Sequence, residues 1–325
     1  MSRNKDSLSP QALPAAPGAG GAEHSPREEP SGKAVSSAFN LLPHEVFFGL
    51  FLVITWLRLC LVEGARGADA LLYLALLSLN AAAVWYARSR DTQFSWRVGL
   101  LFYPVAMNVA FMNMRAAIPK VHPVKMDTFL RSLDAHLVGT NLSLRLQPLV
   151  HPVLTEFFSA CYFLFFVYLL FSLVYYFAGD LELLKRFMVG LFTIYGLGFI
   201  GYSFVPASGP CHAMAGQFNV ALDGWWITRL NNAVVLHGSN GVDVFPSLHC
   251  AISTFFLFFD RRHRPWRFKL YLLPCVGLWL STIYLRYHYF VDVACGFALA
   301  GFGLWLAKRF PFTPLPEARP PNRAL

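Results

Sequence analysis

Two histidines in distant segments carry most of the chemical promise of this sequence. One lies in Phe245-Pro246-Ser247-Leu248-His249-Cys250, the other in Tyr284-Leu285-Arg286-Tyr287-His288-Tyr289-Phe290-Val291-Asp292. Each sits at the edge of a long apolar run, where an ionisable group is costly unless it has a task. His288 and Asp292 are four apart, so on a helix they share a face. An Asp beside a His fixes its tautomer and stabilises its protonated form. Two histidines and a carboxylate are sufficient for acid, base and nucleophilic chemistry on a phosphate.

The neighbours of His249 suit an anion. Pro246 is favoured in the first turn of a helix, where its missing N–H does no harm. The N–H groups of Ser247, Leu248 and His249 would then project from a helix start, a setting that attracts phosphate. Ser247 adds a hydroxyl donor. The plainer alternatives are an N-cap Ser, an interfacial His, and a His–Asp pair that ties helices together. Arg286 would reach a phosphate oxygen from within a turn; otherwise it is a snorkelling interfacial Arg. Val205-Pro206-Ala207-Ser208-Gly209-Pro210 is a rigid, donor-rich turn, and Ser208 and Gly209 are candidates to line the same cleft. His212, His237 and Arg229 are lone loop residues with no chemistry assigned. Zinc on His249, His288 and Asp292 is the chemical rival. It lacks supporting ligand spacing, so no metal is expected.

The elements that must position these groups are membrane helices. Of the 325 residues 56% are hydrophobic and 14% charged, against about a quarter charged in soluble domains. The fold class expected is all-α, a polytopic transmembrane bundle. Apolar runs predict helices near 44–62, 69–87, 97–114, 153–178, 184–204, 245–260, 268–286 and 288–308. The last two nearly touch, so a tight turn must fall at Arg286–His288. Residues 1–40 are rich in Pro, Gly, Ala, Ser and charge and read as a disordered tail, with no cleavable signal before the first apolar run. Residues 41–115 hold the N-terminal transmembrane helices. Residues 116–152 form an interfacial segment in which Met126–Asp134 has helical apolar spacing. Residues 153–310 form the core that carries the motifs, and 311–325 a C-terminal tail.

The six Cys show neither metal spacing nor a paired framework; Cys60, Cys161, Cys275 and Cys295 lie inside apolar runs and read as packing residues. The formal charge of +9 describes topology rather than nucleic-acid binding. With eight spans and an inner N-terminus, two-thirds of the 27 Lys and Arg fall on the inner side. Both termini are then cytoplasmic. His249 and His288, at the starts of the sixth and eighth helices, face the periplasm, cell exterior or organelle lumen together.

Pro246-Ser247-Leu248-His249, followed after about 40 residues by His288-Tyr289-Phe290-Val291-Asp292, resembles the type-2 phosphatidic acid phosphatase superfamily. It is closest to the branch of inositol phosphorylceramide synthases and sphingomyelin synthase relatives. Phosphatases of the superfamily usually carry P-S-G-H; Leu248 is similar to the synthase form. Of the S-R-x5-H-x3-D motif, Ser281, His288 and Asp292 match, with Thr282 in the Arg position. The K-x6-R-P motif is absent, and Val205–Pro210 resembles the Pro/Gly-rich stretch of the synthase-like branch. Arg286 is the expected substitute for the missing cation.

The resemblance implies a core of six helices and a phosphohistidine mechanism without metal or cofactor. His288 would be the nucleophile, Asp292 its orienting group, and His249 the acid and then the base. Ser247 would hold phosphate oxygens. The partners implied are a phospholipid, a lipid or alcohol acceptor and the bilayer. Water as acceptor would give a lipid phosphatase; a lipid hydroxyl would give a head-group transferase. A transporter or flippase with a His–Asp relay is the alternative from another class, but it would spread ionisable groups along several helices. A catalytically silent scaffold is the third.

Overall fold

A computed structural model describes residues 41–309. The tails expected at 1–40 and 311–325 lie outside the described residues. Among the described residues there are no strands. Twelve helices follow in order: α1 Pro43–Glu63, α2 Ala68–Arg90, α3 Gln93–Val121, α4 Asp127–Val138, α5 Leu142–Arg145, α6 Pro152–Ala178, α7 Leu181–Phe204, α8 Pro210–Ala213, α9 Trp226–Gly238, α10 Leu248–His263, α11 Pro265–Tyr284 and α12 Phe290–Arg309. The chain is an all-α polytopic bundle, as its apolar runs predict.

The eight long helices coincide with the eight expected runs. Five of them (α1, α2, α6, α7 and α12) are long and apolar enough to cross a membrane by length and composition. The other three depart from that pattern for visible reasons. α3 contains Arg97, Arg115 and Lys120, and α11 contains Arg267 and Lys269. α10 has 16 residues, about 24 Å of helix. Apolar side chains such as Leu101, Val105, Leu170, Val174 and Leu273 stay exposed on the bundle surface, as a lipid-facing surface requires. The protein is an integral membrane protein.

α7 is the axis of the bundle. Most of its residues are buried, and it packs against α1 and α3 as well as against α10 and α12. Aromatic rings fill both seams. Phe51 meets Phe199 edge-on at 5.2 Å, while Phe187 stacks on Phe256 at 5.6 Å and on Tyr176 at 4.2 Å. Such contacts let rings pack without polar atoms. α6 covers α11 and supports α9.

Two boundaries move. α3 runs to Val121 rather than ending at 114, because Met114, Ala117 and Ile118 continue its buried face. α10 starts at Leu248 rather than 245. Ser247 is its N-cap, accepting from Cys250 N at 3.4 Å, so Pro246 precedes the helix instead of occupying its first turn. The polar segment 205–244 contains a helix not expected from the sequence, α9. It packs through buried Thr228 and Asn231, and Glu156 of α6 anchors its start by accepting from Trp225 N, Ile227 N and Thr228 N.

At the α10–α11 end of the bundle a charged pair is fully enclosed. Arg267 Nε donates to Asp260 Oδ2 at 3.0 Å, and both side chains have essentially no exposure. Asp260 also accepts from the hydroxyls of Tyr168 and Tyr176. Arg267 reaches Ser172 Oγ and lies over the rings of Phe171 and Tyr175 at 4.7 and 4.6 Å. This clasp joins α6, α10 and α11 at the end remote from His249. Arg267→Ala leaves the Asp260 charge buried and uncompensated, a change that costs about 3–5 kcal/mol. We expect a clearly lowered thermal midpoint for the variant in detergent; a wild-type midpoint would show that the clasp contributes nothing.

Candidate active site

The close approach of α10 and α12 creates the site. Ser247 N donates to the Asp292 carbonyl at 2.9 Å, which pins the start of one helix to the first turn of the other. Gly296 permits that crossing, since a Cβ there would stand 2.5 Å from Ser247 O. The two histidine rings are thereby brought to 5.9 Å, centroid to centroid. Both line a cavity of about 470 Å³, together with Arg115, Tyr162, Ser208, Cys211, His212, Asp243 and Tyr287.

The turn before α12 sets the direction of His288. Leu285 N, Tyr287 N and His288 N donate back to the last turn of α11, the latter two sharing the Thr282 carbonyl at 3.0 Å. Arg286 adopts a left-handed backbone, φ 66°, uncommon for a residue with a side chain. His288 Nδ1 faces Asp292 Oδ2 at 3.5 Å, too long for a hydrogen bond in this state. Catalytic hydrogen bonds are often loose before substrate arrives. The same Asp292 oxygen accepts from Tyr289 N at 2.8 Å, so the carboxylate both caps α12 and backs the imidazole. With Nδ1 turned to Asp292, Nε2 is left for the cavity side.

His249 sits among rings of α6. Its centroid is 4.7 Å from Tyr162 and 4.8 Å from Phe165, and its Nε2 is 3.0 Å from the Tyr162 hydroxyl. Tyr162 in turn lies 4.8 Å from the ring of Tyr287, whose hydroxyl accepts from Asn231 Nδ2 of α9 at 3.1 Å. The imidazole thus has a hydroxyl partner and a largely apolar surround.

The structure gathers some of the sequence candidates and disperses others. His249, His288 and Ser208 line one cavity, and Asp292 stands behind His288. Ser247 is completely buried; its hydroxyl accepts from Cys250 N and its N–H is taken by Asp292, so it supports the cavity from behind. Gly209 acts through its backbone. At φ 80°, with Tyr287 O only 2.4 Å from where a Cβ would be, it lets the 205–210 turn nest against the α11–α12 turn. Arg286 departs from its expected place as the phosphate cation. Its Nη2 donates to Val220 O at 2.6 Å, its guanidinium lies 4.1 Å over Phe218, and it does not line the cavity. The left-handed backbone turns its side chain from His288 toward the 211–220 loop.

Several residues of the site were not anticipated. Arg115 of α3 lines the cavity, its Nη2 donating to Ser239 O at 2.8 Å. α4 contributes two carboxylates that hold the walls. Asp127 accepts from Ser208 N, Ser208 Oγ, Gly209 N and the Tyr289 hydroxyl, all between 2.9 and 3.1 Å. Asp134 accepts from Phe290 N and Val291 N, both at 2.9 Å, and so caps the helix that carries Asp292. The signal was present: Asp127 and Asp134 are two turns apart on the face of buried Leu130, so they belong to the apolar side of the helix.

A family model described as the PAP2 superfamily matches residues 129–306. The chain belongs to the PAP2 superfamily. The PAP2 match starts within α4 and ends in α12, so it includes five long helices, both histidines and the Asp134 cap. Arg115 falls outside it. The chain is also 27% identical over 172 residues to Phosphoinositol dihydroceramide synthase of Bacteroides thetaiotaomicron, covering 48% of this chain and 56% of that protein. The chain thus spans little more than half the length of that relative. No solved structure matches the chain.

Asp134→Ala removes the acceptor for two amides at the start of α12 and frees the turn that aims His288. A displacement near 1 Å in such a group costs up to about a hundredfold in rate. We expect kcat to fall by roughly ten- to a hundredfold with little change in KM or helix content. Wild-type kcat would mean that the cap does not position the site.

Proposed function

We propose that this protein is a membrane enzyme that transfers a phospho-head-group from a phospholipid to a lipid hydroxyl. The observation that carries the proposal is the pair of histidines across one cavity, one of them backed by a buried carboxylate. In this reading His288 Nε2 attacks the donor phosphorus and the bond to the diacylglycerol oxygen breaks. His249 gives that oxygen its proton. The head-group phosphate is then held on His288, and Asp292 stabilises the positive imidazolium, as a carboxylate does beside other catalytic histidines. In the second half-reaction His249, now neutral, takes the proton of the acceptor hydroxyl as its oxygen attacks phosphorus and releases His288. Tyr162 holds His249 in place through its 3.0 Å contact.

Phosphoryl transfer depends mainly on positioning and on neutralising charge at the equatorial oxygens. Arg115 is the arginine best placed for that role, since it lines the cavity and Arg286 does not. His212 and the 208–211 turn complete the polar wall. A cavity of about 470 Å³ has room for a phosphate and a polar head group, within the usual range for small-molecule sites of about 300–1,000 Å³. The similarity to a phosphoinositol dihydroceramide synthase favours an inositol-bearing donor and a ceramide-type acceptor over water. The cytoplasmic termini inferred from the Lys and Arg distribution would put the reaction on the periplasmic, extracellular or lumenal face.

A panel of labelled phospholipids, with and without ceramide or diacylglycerol, tests this function. A new head-grouped lipid that requires the acceptor is the expected product. Released head-group phosphate or free phosphate, whether or not an acceptor is present, would instead mark a hydrolase. His288→Ala should abolish turnover and Asp292→Asn reduce it by orders of magnitude, with folded protein retained in detergent. Full activity of His288→Ala would overturn the nucleophile assignment. A separate variant, Arg115→Ala, should lower turnover by at least roughly tenfold, as loss of a charge-stabilising donor does. Unchanged turnover would remove Arg115 from the phosphate site.

A further inference from the structure

A second basic cavity lies at the opposite end of the same helices. It encloses about 150 Å³ and is lined by Arg186 of α7, by Phe258, Phe259, Arg262 and His263 of α10, and by Leu304, Ala307 and Lys308 of α12. His249 stands at the N-terminal end of α10 and this cavity at its C-terminal end, some 14 residues further on, or about 20 Å away along the axis. The two sites therefore share helices but no residues.

We propose that this cavity binds the head group of an anionic phospholipid. Arg186, Arg262 and Lys308 come from three different helices yet line one concavity, and among the described residues no carboxylate lines it with them. Cations are favoured at helix C-termini by the macrodipole, which accounts for Arg262 and Lys308 separately. It does not account for the apolar floor, or for the convergence of α7, α10 and α12 on one concavity. Phe259 and Ala307 are buried while Phe258 is exposed on the bundle surface, so the cavity grades from a charged mouth into the surface that faces acyl chains. A lipid offers that combination of anionic head and apolar tail; a free ion offers only the first. Basic pockets between transmembrane helices are a recurrent setting for anionic head groups. The occupant would belong to the leaflet opposite the catalytic cavity, and so would not be the substrate.

The test uses the full-length protein in phosphatidylcholine bilayers containing a photoactivatable phosphatidylglycerol, with cross-links mapped by mass spectrometry. Cross-links are expected at Phe258–His263 and Leu304–Arg309, well above those from a photoactivatable phosphatidylcholine. Each Lys or Arg near a membrane surface contributes about a fivefold preference for anionic lipid. Arg262→Ala with Lys308→Ala should therefore weaken labelling by roughly 25-fold. The charge-keeping pair Arg262→Lys with Lys308→Arg should retain it. Equal labelling by the two lipids, or labelling unaffected by the alanine pair, would overturn the proposal. Displacement of the lipid by inorganic phosphate at equal concentration would also overturn it, by identifying a free-anion site. Lipid turnover at the histidine cavity should persist in the alanine pair, so this test and that of the proposed function fail independently.

Discussion

The hydrogen bond from Ser247 N to the Asp292 carbonyl is the junction on which the site is built. It joins the first turns of two helices that are remote in sequence, and each of those turns carries or adjoins one of the histidines. Without it α10 and α12 would still pack through apolar surfaces, but apolar packing is non-directional and would not specify the register of their ends. Gly296 removes the side chain that would hold the helices apart. Once the junction is made, the Ser247 hydroxyl caps α10 and Asp292 caps α12, so both polar groups stabilise helix ends and orient the histidines.

Around this junction the polar scaffold comes from helices outside the long spans. α4 lies against the start of α12 and the 206–209 turn, toward which it directs Asp127 and Asp134. Nearly every acceptor position of those carboxylates meets an N–H or hydroxyl from the 208–209 turn or from the start of α12. Buried carboxylates are tolerable only when satisfied in this way. The result is a stiff rim on an otherwise apolar bundle. α9, anchored through Glu156 and buried Asn231, closes the side of the cavity next to Tyr287. The Asp260–Arg267 clasp holds the other end of α6, α10 and α11, so the helices are fixed by polar contacts at both ends and by aromatic packing between.

Much of this was legible in the sequence because long apolar runs have a single physical outcome in a bilayer. The eight long helices, the turn at 286–288 and the helical character of Met126–Asp134 all follow from run length and periodicity. The meeting of His249 and His288 follows from counting spans, since both lie at the starts of helices running in the same direction. The errors arise where local rules meet tertiary contacts. Proximity in sequence to His288 puts Arg286 at the phosphate, but a left-handed backbone turns it away. Arg115 lies one residue past the end that run length predicts for α3, yet the helix continues to Val121. Ser247 and Pro246 were read as an open helix end, whereas the junction with Asp292 occupies the Ser247 amide. α9 escaped notice because a short amphipathic helix leaves only a weak periodic signal amid polar residues.

The central claim is that His288 carries the phosphate between donor and acceptor. Rapid-quench labelling with a donor phospholipid bearing a radioactive head-group phosphate, in the absence of acceptor, tests it most directly. The account predicts label bound to the protein that is acid-labile, base-stable, mapped to His288, and released as labelled product on addition of acceptor. Turnover with no protein-bound label, or label on a residue other than His288, would contradict it.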